Sequence, residues 1–265
     1  MRGTFRFLAI VGSLALLSTH SASAQTAPSL GSAQSFAVLG GSTVTNTGPS
    51  VIGGDLGLSP GSAVTGFPPG VVVGGAIHAA DATALAAQNS LTTAYNSAAG
   101  QACTQDLTGQ DLGGKVLTPG VYCFSTSAQL TGSLTLNAQG NASAVFIFKI
   151  GSTLTTASGS SVVMSNSGSQ CNVFWQVGTS ATLGSTTSFA GNILALTSIS
   201  MTTGANIIGR ALARNGAVTL DTNNITPSTC PVIPVPTLPQ WALLMLAVVL
   251  AAGGVVMLRR RGTTV

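Results

Sequence analysis

The chain has 265 residues and a formal net charge of +4, but only 5% of its residues are charged. Five of the nine basic side chains lie close to the two ends, which leaves four basic and five acidic side chains in the body. This balance excludes a basic face for nucleic acid. Without Glu, and with few titratable groups to gather at one place, neither catalysis nor a metal or cofactor site is expected.

Residues 1–24 predict a signal peptide. Arg2 and Arg6 precede an apolar run from Phe7 to Leu17, and small residues follow up to Ala24. An uncleaved anchor is the alternative, but the run is short for a membrane span. Cleavage near Ala24 is therefore expected.

Residues 30–77 predict a first set of short β-coils. The segment that begins at Thr43 is echoed about one turn later by Val72-Val-Gly-Gly-Ala-Ile. The doublets Gly53-Gly54 and Gly74-Gly75 predict tight corners, since glycine adopts positive φ without a steric cost.

Residues 79–99 predict a single α-helix. Small apolar residues recur there at steps of three and four, and Gly100 follows as a stop signal. A narrow, alanine-rich face lets a helix approach a sheet closely. The helix is therefore expected to pack along the flank of the β-coils.

The segment from Ser180 to Ile225 repeats itself. Thr182, Ser200 and Thr219 align at steps of 18 and 19 residues, each followed by Leu or Met. Thr153-Leu154 and Thr135-Leu136 extend the same alignment backwards. A period near 20, in units too small to bury their own apolar side, is typical of a stacked solenoid. Short Thr-, Val- and Ile-rich runs cut by Gly and Asn favour a β-helix.

Four cysteines in an exported chain indicate disulfides. Cys103 and Cys123 bracket a loop, whereas Cys171 lies between coils and Cys230 follows the last one. Of the three possible pairings, 103–123 and 171–230 are expected because they join neighbours in sequence. Metal binding is disfavoured because no CxxC spacing or His cluster is present.

The C-terminal region predicts a linker and an anchor. Residues 231–240 are Pro-rich and extended. Trp241 then precedes an apolar segment, 242–258, that is long enough for a short transmembrane span, and residues 259–265 form a basic tail.

Residues 30–230 resemble the bacterial and fungal ice-binding proteins that carry a DUF3494-type domain. The runs that carry the resemblance begin at Phe36 (FAVLGGSTVTNTG), Leu117 (LTPGVY), Val145 (VFIF), Asn172 (NVFWQVG) and Gly209 (GRALARNGAVTLD). The resemblance implies a mostly β protein, an irregular three-sided β-helix with one long α-helix packed alongside. It also implies a non-enzymatic, antifreeze-like function with ice or ordered water as the partner.

The C-terminal region resembles an IPTL-type sorting signal of Gram-negative bacteria. The matching residues are Pro236, Thr237, Leu238, Pro239 and Trp241, followed by the apolar segment and arginines. The resemblance implies processing by an exosortase-like membrane enzyme. The product would be anchored in the membrane before sorting, and would reach the cell surface or the medium afterwards.

Ice-binding proteins of this type are similar in using a T-A/G-X-T/N pattern on one flat face. Threonine suits such a face because its χ1 is stiff and it presents a methyl beside a hydroxyl. The five units of this chain that compare with the pattern are 47–50, 158–161, 185–188, 203–206 and 221–224. Thr203-Gly-Ala-Asn206 fits fully and Thr47-Gly-Pro-Ser50 nearly, whereas Asp221 introduces a charge. The candidate ice-binding residues are Thr47, Ser50, Ser158, Ser161, Ser185, Ser188, Thr203, Asn206, Thr222 and Asn224. Because these side chains depart from the regular pattern, we expect weak ice binding, or the fold without strong activity.

Two other functions remain open. A surface structural or adhesion module could use the same solenoid to contact matrix polysaccharide or other cells, and an aromatic-lined groove would favour it. Arg210, Arg214 and Asp221 resemble the sparse charged sites of solenoid polysaccharide lyases. Hydrogen bonds to the backbone or an ion pair at the coil edge explain these three residues more simply.

Overall fold

The computed structural model describes residues 25–228, and the chain forms 22 strands and one α-helix there. In chain order the strands are β1 Phe36–Gly40, β2 Thr43–Thr47, β3 Val51–Ile52, β4 Asp55–Leu58, β5 Ala63–Thr65, β6 Val71–Val72, β7 Ile77–Ala79, β8 Gln105–Asp106, β9 Val116–Leu117, β10 Gly120–Phe124, β11 Ala128–Leu130, β12 Ser133–Asn137, β13 Phe146–Ile150, β14 Leu154–Thr156, β15 Ser161–Ser165, β16 Val173–Val177, β17 Ala181–Leu183, β18 Ser188–Ala195, β19 Ile199–Met201, β20 Asn206–Ala213, β21 Val218–Asp221 and β22 Asn224–Thr226. The helix α1 is Ala82–Ala99, and short 3-10 turns cover Gly31–Ser35 and Gln170–Asn172.

The strands wind into a three-sided parallel solenoid. The threonine face is a seven-stranded sheet in the order β11-β14-β17-β19-β21-β2-β5. The valine face contains β9, β12, β15, the first residues of β18 and β20, β22, β3 and β6. The helix face contains β8, β10, β13, β16, the last residues of β18 and β20, β1, β4 and β7. The predicted mostly β fold with parallel coils and one long helix is confirmed.

The core lies between the three faces and is filled by alternate residues of each strand. On the threonine face β11, β14 and β17 each bury their first and last side chains and expose the middle one. In the centre, the rings of Phe148 and Trp175 stack with centroids 3.8 Å apart, and Phe189 packs against Trp175 at 4.9 Å. The Trp175 indole nitrogen donates to the carbonyl oxygen of Ala190. The one polar atom of this aromatic cluster is therefore satisfied.

Coil length depends on the corner between the valine and helix faces. β18 and β20 run around this corner as single eight-residue strands. Gly191 and Gly209 stand there with φ of +108° and +144°, and a Cβ on Gly209 would lie 2.0 Å from the Gly191 carbonyl oxygen. Earlier coils replace this corner with loops 138–145 and 166–172. Those coils are correspondingly longer.

Because the coils differ in length, the repeat could be predicted for only part of the chain. The alignment of Thr182, Ser200 and Thr219 is confirmed, because they are paired in register on the threonine face. The extension backwards is wrong. Thr155, not Thr153, is the partner of Thr182, and Thr135 lies on the valine face opposite Val163. A fixed period cannot be counted across the two loops.

The stacking order of the coils differs from their sequence order. The first coil of the chain stacks on the last one, through the pairs β1 with β20, β2 with β21 and β3 with β22. The coil of β4, β5 and β6 follows, and β7 pairs with β4 at the end of the stack. The opposite end is formed by β8, β9 and β11.

Helix α1 returns the chain along most of the helix face. Its 18 residues span about 27 Å, which matches the roughly 24 Å covered by six of the nine strands at about 4.8 Å spacing. Ala87, Leu91 and Ala94 are fully buried against the sheet. The helix starts at Ala82, three residues later than predicted, because Ile77–Ala79 forms β7 and the Asp81 side chain accepts a hydrogen bond from Ala84 N as the N-cap.

The expected disulfide between Cys103 and Cys123 is present, with Cα atoms 5.8 Å apart. It joins the segment after α1 to β10. The Sγ atom of Cys171 lies 3.6 Å from the Ser228 carbonyl oxygen. Its predicted partner, Cys230, lies outside the described residues, so that pairing stays a prediction.

The described residues contain no helix that is long and apolar enough to cross a membrane. The predicted signal peptide (1–24), linker (231–240), transmembrane segment (242–258) and basic tail (259–265) lie outside the part of the chain that the structure describes.

Candidate functional site

The predicted site residues lie along the corner where the threonine face meets the valine face. The first residues of the five units form one column at the end of the threonine face. Thr47 is paired with Asp221, and backbone hydrogen bonds link Asp221 to the unit of Thr203, and Thr203 to that of Ser185. Gly159 N donates to Ser185 O and so adds the unit of Ser158. The structure thus brings all five units together.

Hydrogen bonds restrain the side chains of this corner column. Thr203 Oγ1 donates to one carboxylate oxygen of Asp221, and Thr222 Oγ1 donates to the other at 3.0 Å. Ser185 Oγ lies 3.3 Å from Thr202 Oγ1. The charge of Asp221 is thus partly satisfied by neighbouring hydroxyls.

The last residues of four units form a second column, at the start of the valine face. Ser161, Ser188, Asn206 and Asn224 pair in register on consecutive strands. The Asn206 side chain is fixed from both ends, since its Oδ1 accepts from Asn224 N at 2.8 Å and its Nδ2 donates to Gly204 O at 3.0 Å. Such a column repeats about every 4.8 Å along the stack.

The prediction for Ser50 is wrong. Its side chain is fully buried and accepts a hydrogen bond from Asn223 N at 2.9 Å. Val51, one residue later, is the partner of Asn224 and occupies the exposed position. The unit Thr47-Gly-Pro-Ser therefore turns the corner one residue out of phase with the other four.

The valine face also exposes a set of aliphatic side chains that the sequence interpretation missed. Eight large hydrophobic residues are exposed among the described residues, and six of them lie on this face. These six are Val51, Val71, Val73, Val116, Val163 and Ile208. Together with the column from Ser161 to Asn224, they place methyl groups beside hydroxyl and amide groups on one flat surface.

A shallow trough of about 80 Å³ lies between the polar and aliphatic side chains of this face. It is lined by Ser188, Asn206 and Asn224 on one side and by Ile208 and Thr226 on the other. Such a trough has room for water molecules and polar groups to hold them. The surface can therefore hold a row of ordered waters.

Charged and aromatic groups are mostly kept off the exposed faces. Nine of the ten described aromatic side chains are buried and the tenth, Phe67, is half-buried. The described residues also contain no cluster of three or more His, Cys, Asp or Glu that could hold a metal. Residues 25–228 therefore offer no exposed aromatic ring for stacking on a sugar and no cluster of titratable groups for acid–base chemistry.

Arg210 and Arg214, two of the residues with a possible lyase-like role, have structural contacts. Arg210 is 3% exposed, donates to Gln34 O and Asn192 Oδ1, and has its pKa lowered to about 10 by burial. Arg214 lies over the ring of Tyr95, 4.8 Å from its centroid. Both arginines thus help to hold other segments against the coils.

The fold and the surface define a three-sided parallel β-solenoid that displays hydroxyl, amide and methyl groups at regular spacing. The chain belongs to the Ice-binding-like family, whose profile matches residues 38–226. Residues 233–261 match a second profile, the IPTL-CTERM motif.

Relatives and solved structures agree with this family. A protein named ice-binding protein from Nostoc sp. (strain HG1) is 62% identical over 198 residues, which cover 74% of this chain and 73% of the relative. The crystal structure of an ice-binding protein from an Antarctic biological consortium matches with a TM-score of 0.74 and 48% identity over 76% of this chain and 91% of that one. The ice-binding protein of the Antarctic ascomycete Antarctomyces psychrotrophicus matches with a TM-score of 0.75 and 40% identity over 77% of this chain and 100% of that one.

Proposed function

We propose that this protein binds ice through the valine face, which includes the column of Ser161, Ser188, Asn206 and Asn224, together with the adjoining corner column. The observation that carries the proposal is the juxtaposition on one flat sheet of in-register Ser and Asn side chains with the exposed Val and Ile side chains. Methyl groups cannot hydrogen-bond and leave adjacent water in a cage-like order, whereas the fixed amide and hydroxyl groups anchor that order. A rigid β-solenoid offers this pattern without rearrangement of its side chains.

Two further observations support ice over polysaccharide as the partner. Sugars are commonly held by exposed aromatic rings or charged groups, and the described aromatic residues are buried or half-buried. The relatives named above are ice-binding proteins, and the likeness extends over the whole solenoid. The alternative of an adhesion module has one feature in its favour among the described residues, a groove of about 590 Å³ beside the Cys103–Cys123 disulfide, but the two aromatic rings that line it, Tyr95 and Phe124, are buried.

The test uses residues 25–230, a segment that keeps Cys230. All of the solved Antarctomyces psychrotrophicus chain aligns with 77% of this one, so in that relative the solenoid stands without a sorting segment. Ile208→Tyr would place a large ring on the valine face, and Leu85→Tyr, on the exposed side of α1, is the matched control. We expect wild type and L85Y to be incorporated into growing ice and to depress its freezing point, and I208Y to do so much less. Equal uptake of I208Y and L85Y would exclude the valine face.

We also propose that the chain is exported and sorted through its C-terminal segment. The IPTL-CTERM match supports passage to the cell surface. In this proposal the signal is cleaved near Ala24, the segment 242–258 holds the precursor in the membrane, and an exosortase-like enzyme acts on it. Mass spectrometry of the termini of the surface and medium forms tests both cleavages. A mature protein that retains residues 242–258 would contradict the sorting step.

A further inference from the structure

We infer that the groove beside the Cys103–Cys123 disulfide is a binding site for a short, extended peptide, which it recognises by the two charged ends. The groove lies on the helix face and takes no part in the proposed contact with ice. Its volume of about 590 Å³ is within the range of small-ligand sites. It is lined by Tyr95, in the last turns of α1, and by residues of β8, β10, β13 and β16.

The outward side chains at one register position of the helix face change from apolar to polar at this groove. On β18, β20 and β1 this position is held by leucines that are fully buried under α1. They are Leu194, Leu212 and Leu39. On the next strand, β16, Gln176 takes the place of a leucine, and Lys149 follows on β13. Cys123 on β10 and Asp106 on β8 complete the series.

The amide of Gln176 is buried without a partner. The side chain is 7% exposed and lines the groove, but its amide makes no hydrogen bond to the rest of residues 25–228. Gln88 is buried to the same degree and shows the usual arrangement, since its Nε2 atom donates to Gly40 O and Ala213 O. A buried amide that is left unpaired lowers stability, whereas the neighbouring coils carry leucine at this position. The Gln176 amide is therefore available to a ligand in the groove.

Two opposite charges lie in line with this amide. The ammonium group of Lys149 donates to Gln101 O at 2.6 Å and has two further N–H groups for a ligand. Asp106 lies two strands from Lys149, on the other side of Cys123. Hydrogen bonds from the Thr108 side chain and N–H hold the pKa of Asp106 below 3.8, so its carboxylate is charged at neutral pH. The groove thus has a cationic part and an anionic end.

The spacing of these charges selects a zwitterion of about three residues. Two strand spacings separate Asp106 from Lys149 by about 9.6 Å between Cα atoms, and the ion pairs of the described residues do not join them. An extended tripeptide spans about 10 Å, so its ammonium group can reach Asp106 while its carboxylate accepts from Lys149 and Gln176. A neutral sugar chain is less suited, because the rings of Tyr95 and Phe124 are buried and offer no stacking surface.

The experiment titrates isotope-labelled residues 25–230 with trialanine and follows the amide signals by nuclear magnetic resonance. Trialanine that is acetylated and amidated lacks both charges and is the control peptide. Gln176→Leu copies the residue of the neighbouring coils, and Lys149→Met removes the cation of the groove. Lys115→Met is the matched control variant, because it removes a cation that donates to Gln110 Oε1 outside the groove. Thermal unfolding of each variant verifies the fold, and Q176L should be at least as stable as wild type.

We expect trialanine, but not the blocked peptide, to shift the side-chain amide signals of Gln176. Loss of one charge-assisted hydrogen bond corresponds to roughly tenfold weaker binding, so Q176L and K149M should each lose about that much while K115M binds like wild type. The Ile208→Tyr variant should also bind like wild type, since the valine face lies elsewhere.

Three results would overturn the inference and leave the proposed function untouched. The first is the absence of shifts at about 10 mM trialanine, a concentration that detects millimolar affinity. The second is equal binding of the blocked peptide, which would show that the charged ends are not recognised. The third is equal affinity of folded Q176L, K149M and K115M, which would place the peptide outside the groove.

Discussion

The guanidinium of Arg210 donates two hydrogen bonds to the carbonyl oxygen of Gln34, from Nε at 2.9 Å and from Nη2 at 2.7 Å. A third bond joins Nη1 to Asn192 Oδ1 at 2.9 Å. One buried cation therefore fastens the segment before β1 to the two neighbouring coils that contain β18 and β20.

Arg210→Met should destabilise the protein although it removes a buried charge. The apolar side chain fills a similar volume, but the buried Asn192 Oδ1 and the part-buried Gln34 carbonyl oxygen lose a donor, at a cost of about 1–3 kcal/mol. Arg210→Lys should lie between wild type and R210M, since a single ammonium cannot reproduce the planar fork. Denaturant unfolding measures the series. An R210M protein as stable as wild type would show that these bonds contribute little.

Gly209→Ala should be among the most damaging substitutions in the solenoid. The added Cβ would lie 2.0 Å from the Gly191 carbonyl oxygen, at a φ of +144°. A loss of about 3 kcal/mol or more in the free energy of unfolding is expected. Gly132→Ala is the control, because Gly132 also has positive φ (+86°) but an added Cβ there would have open space around it. A loss of about 1 kcal/mol is expected for it, and equal losses for both would show that the clash is relieved.

The double substitution Cys103→Ser with Cys123→Ser should lower stability without changing ice uptake. The disulfide closes a loop between residues 20 apart in sequence, which corresponds to about 3 kcal/mol. It lies on the helix face, away from the threonine and valine faces. Denaturant unfolding and ice-affinity partition measure the two effects. Loss of ice uptake by the folded variant would connect this end of the stack to the binding surface.

Ser50→Ala and Thr203→Tyr should have opposite effects. S50A leaves the buried Asn223 N–H without its acceptor, so about 1–3 kcal/mol of stability should be lost while the folded protein keeps its ice uptake. T203Y adds a ring at the exposed corner, so ice uptake should fall and stability should change little. Unfolding curves and ice-affinity partition are measured on both. The reverse result would mean that Ser50, and not Thr203, faces the ice.

The Asp81 N-cap should make stability depend on acid pH. The hydrogen bond from Ala84 N, and then the contact with His78, hold the pKa of Asp81 below its ordinary value of 3.8. A lowered folded-state pKa means that the capping contribution is complete above the unfolded pKa and is lost as the pH falls through the lower folded value. Asp106 and Asp111 also have lowered pKa values.

The test of the cap is therefore the difference between wild type and Asp81→Asn. Asn caps a helix without a charge, so D81N should lose less of its thermal stability than wild type between pH 4 and pH 2. Asp81→Ala should be less stable than both at neutral pH. Parallel curves for wild type and D81N would assign the acid sensitivity to the other aspartates.

The sequence was sufficient for the repeat of the last three coils, but not for the earlier coils or for the stacking order. Thr182, Ser200 and Thr219 could be aligned because each step between them is a coil that turns at Gly191 or Gly209. The pairing of β1 with β20 could not be predicted in this way. It joins segments more than 170 residues apart, and no repeat in the sequence indicates it.

The site was predicted in part for a related reason. Thr203 and Asn206 carry a pattern of residue types, so their exposure could be anticipated, but they lie on two adjoining faces and not on the single flat face that was predicted. Val51, Val163 and Ile208 look like core residues in the sequence, since only the direction of each side chain separates an exposed valine from a buried one. Ser50 was misplaced because Pro49 and Gly48 shift its coil by one residue.

The docking of the first coil onto the last has a consequence for how the chain acquires its shape. A polypeptide that leaves a ribosome or a translocation pore N-terminus first presents β1, β2 and β3 long before β20, β21 and β22 exist to receive them. These leading strands can pair with β4, β5 and β6 soon after they emerge, but their other edge stays open until nearly the entire domain has emerged. Maturation thus ends with a closing step inside the stack, and a chain cut short before residue 206 would leave one edge of its first coil unpaired.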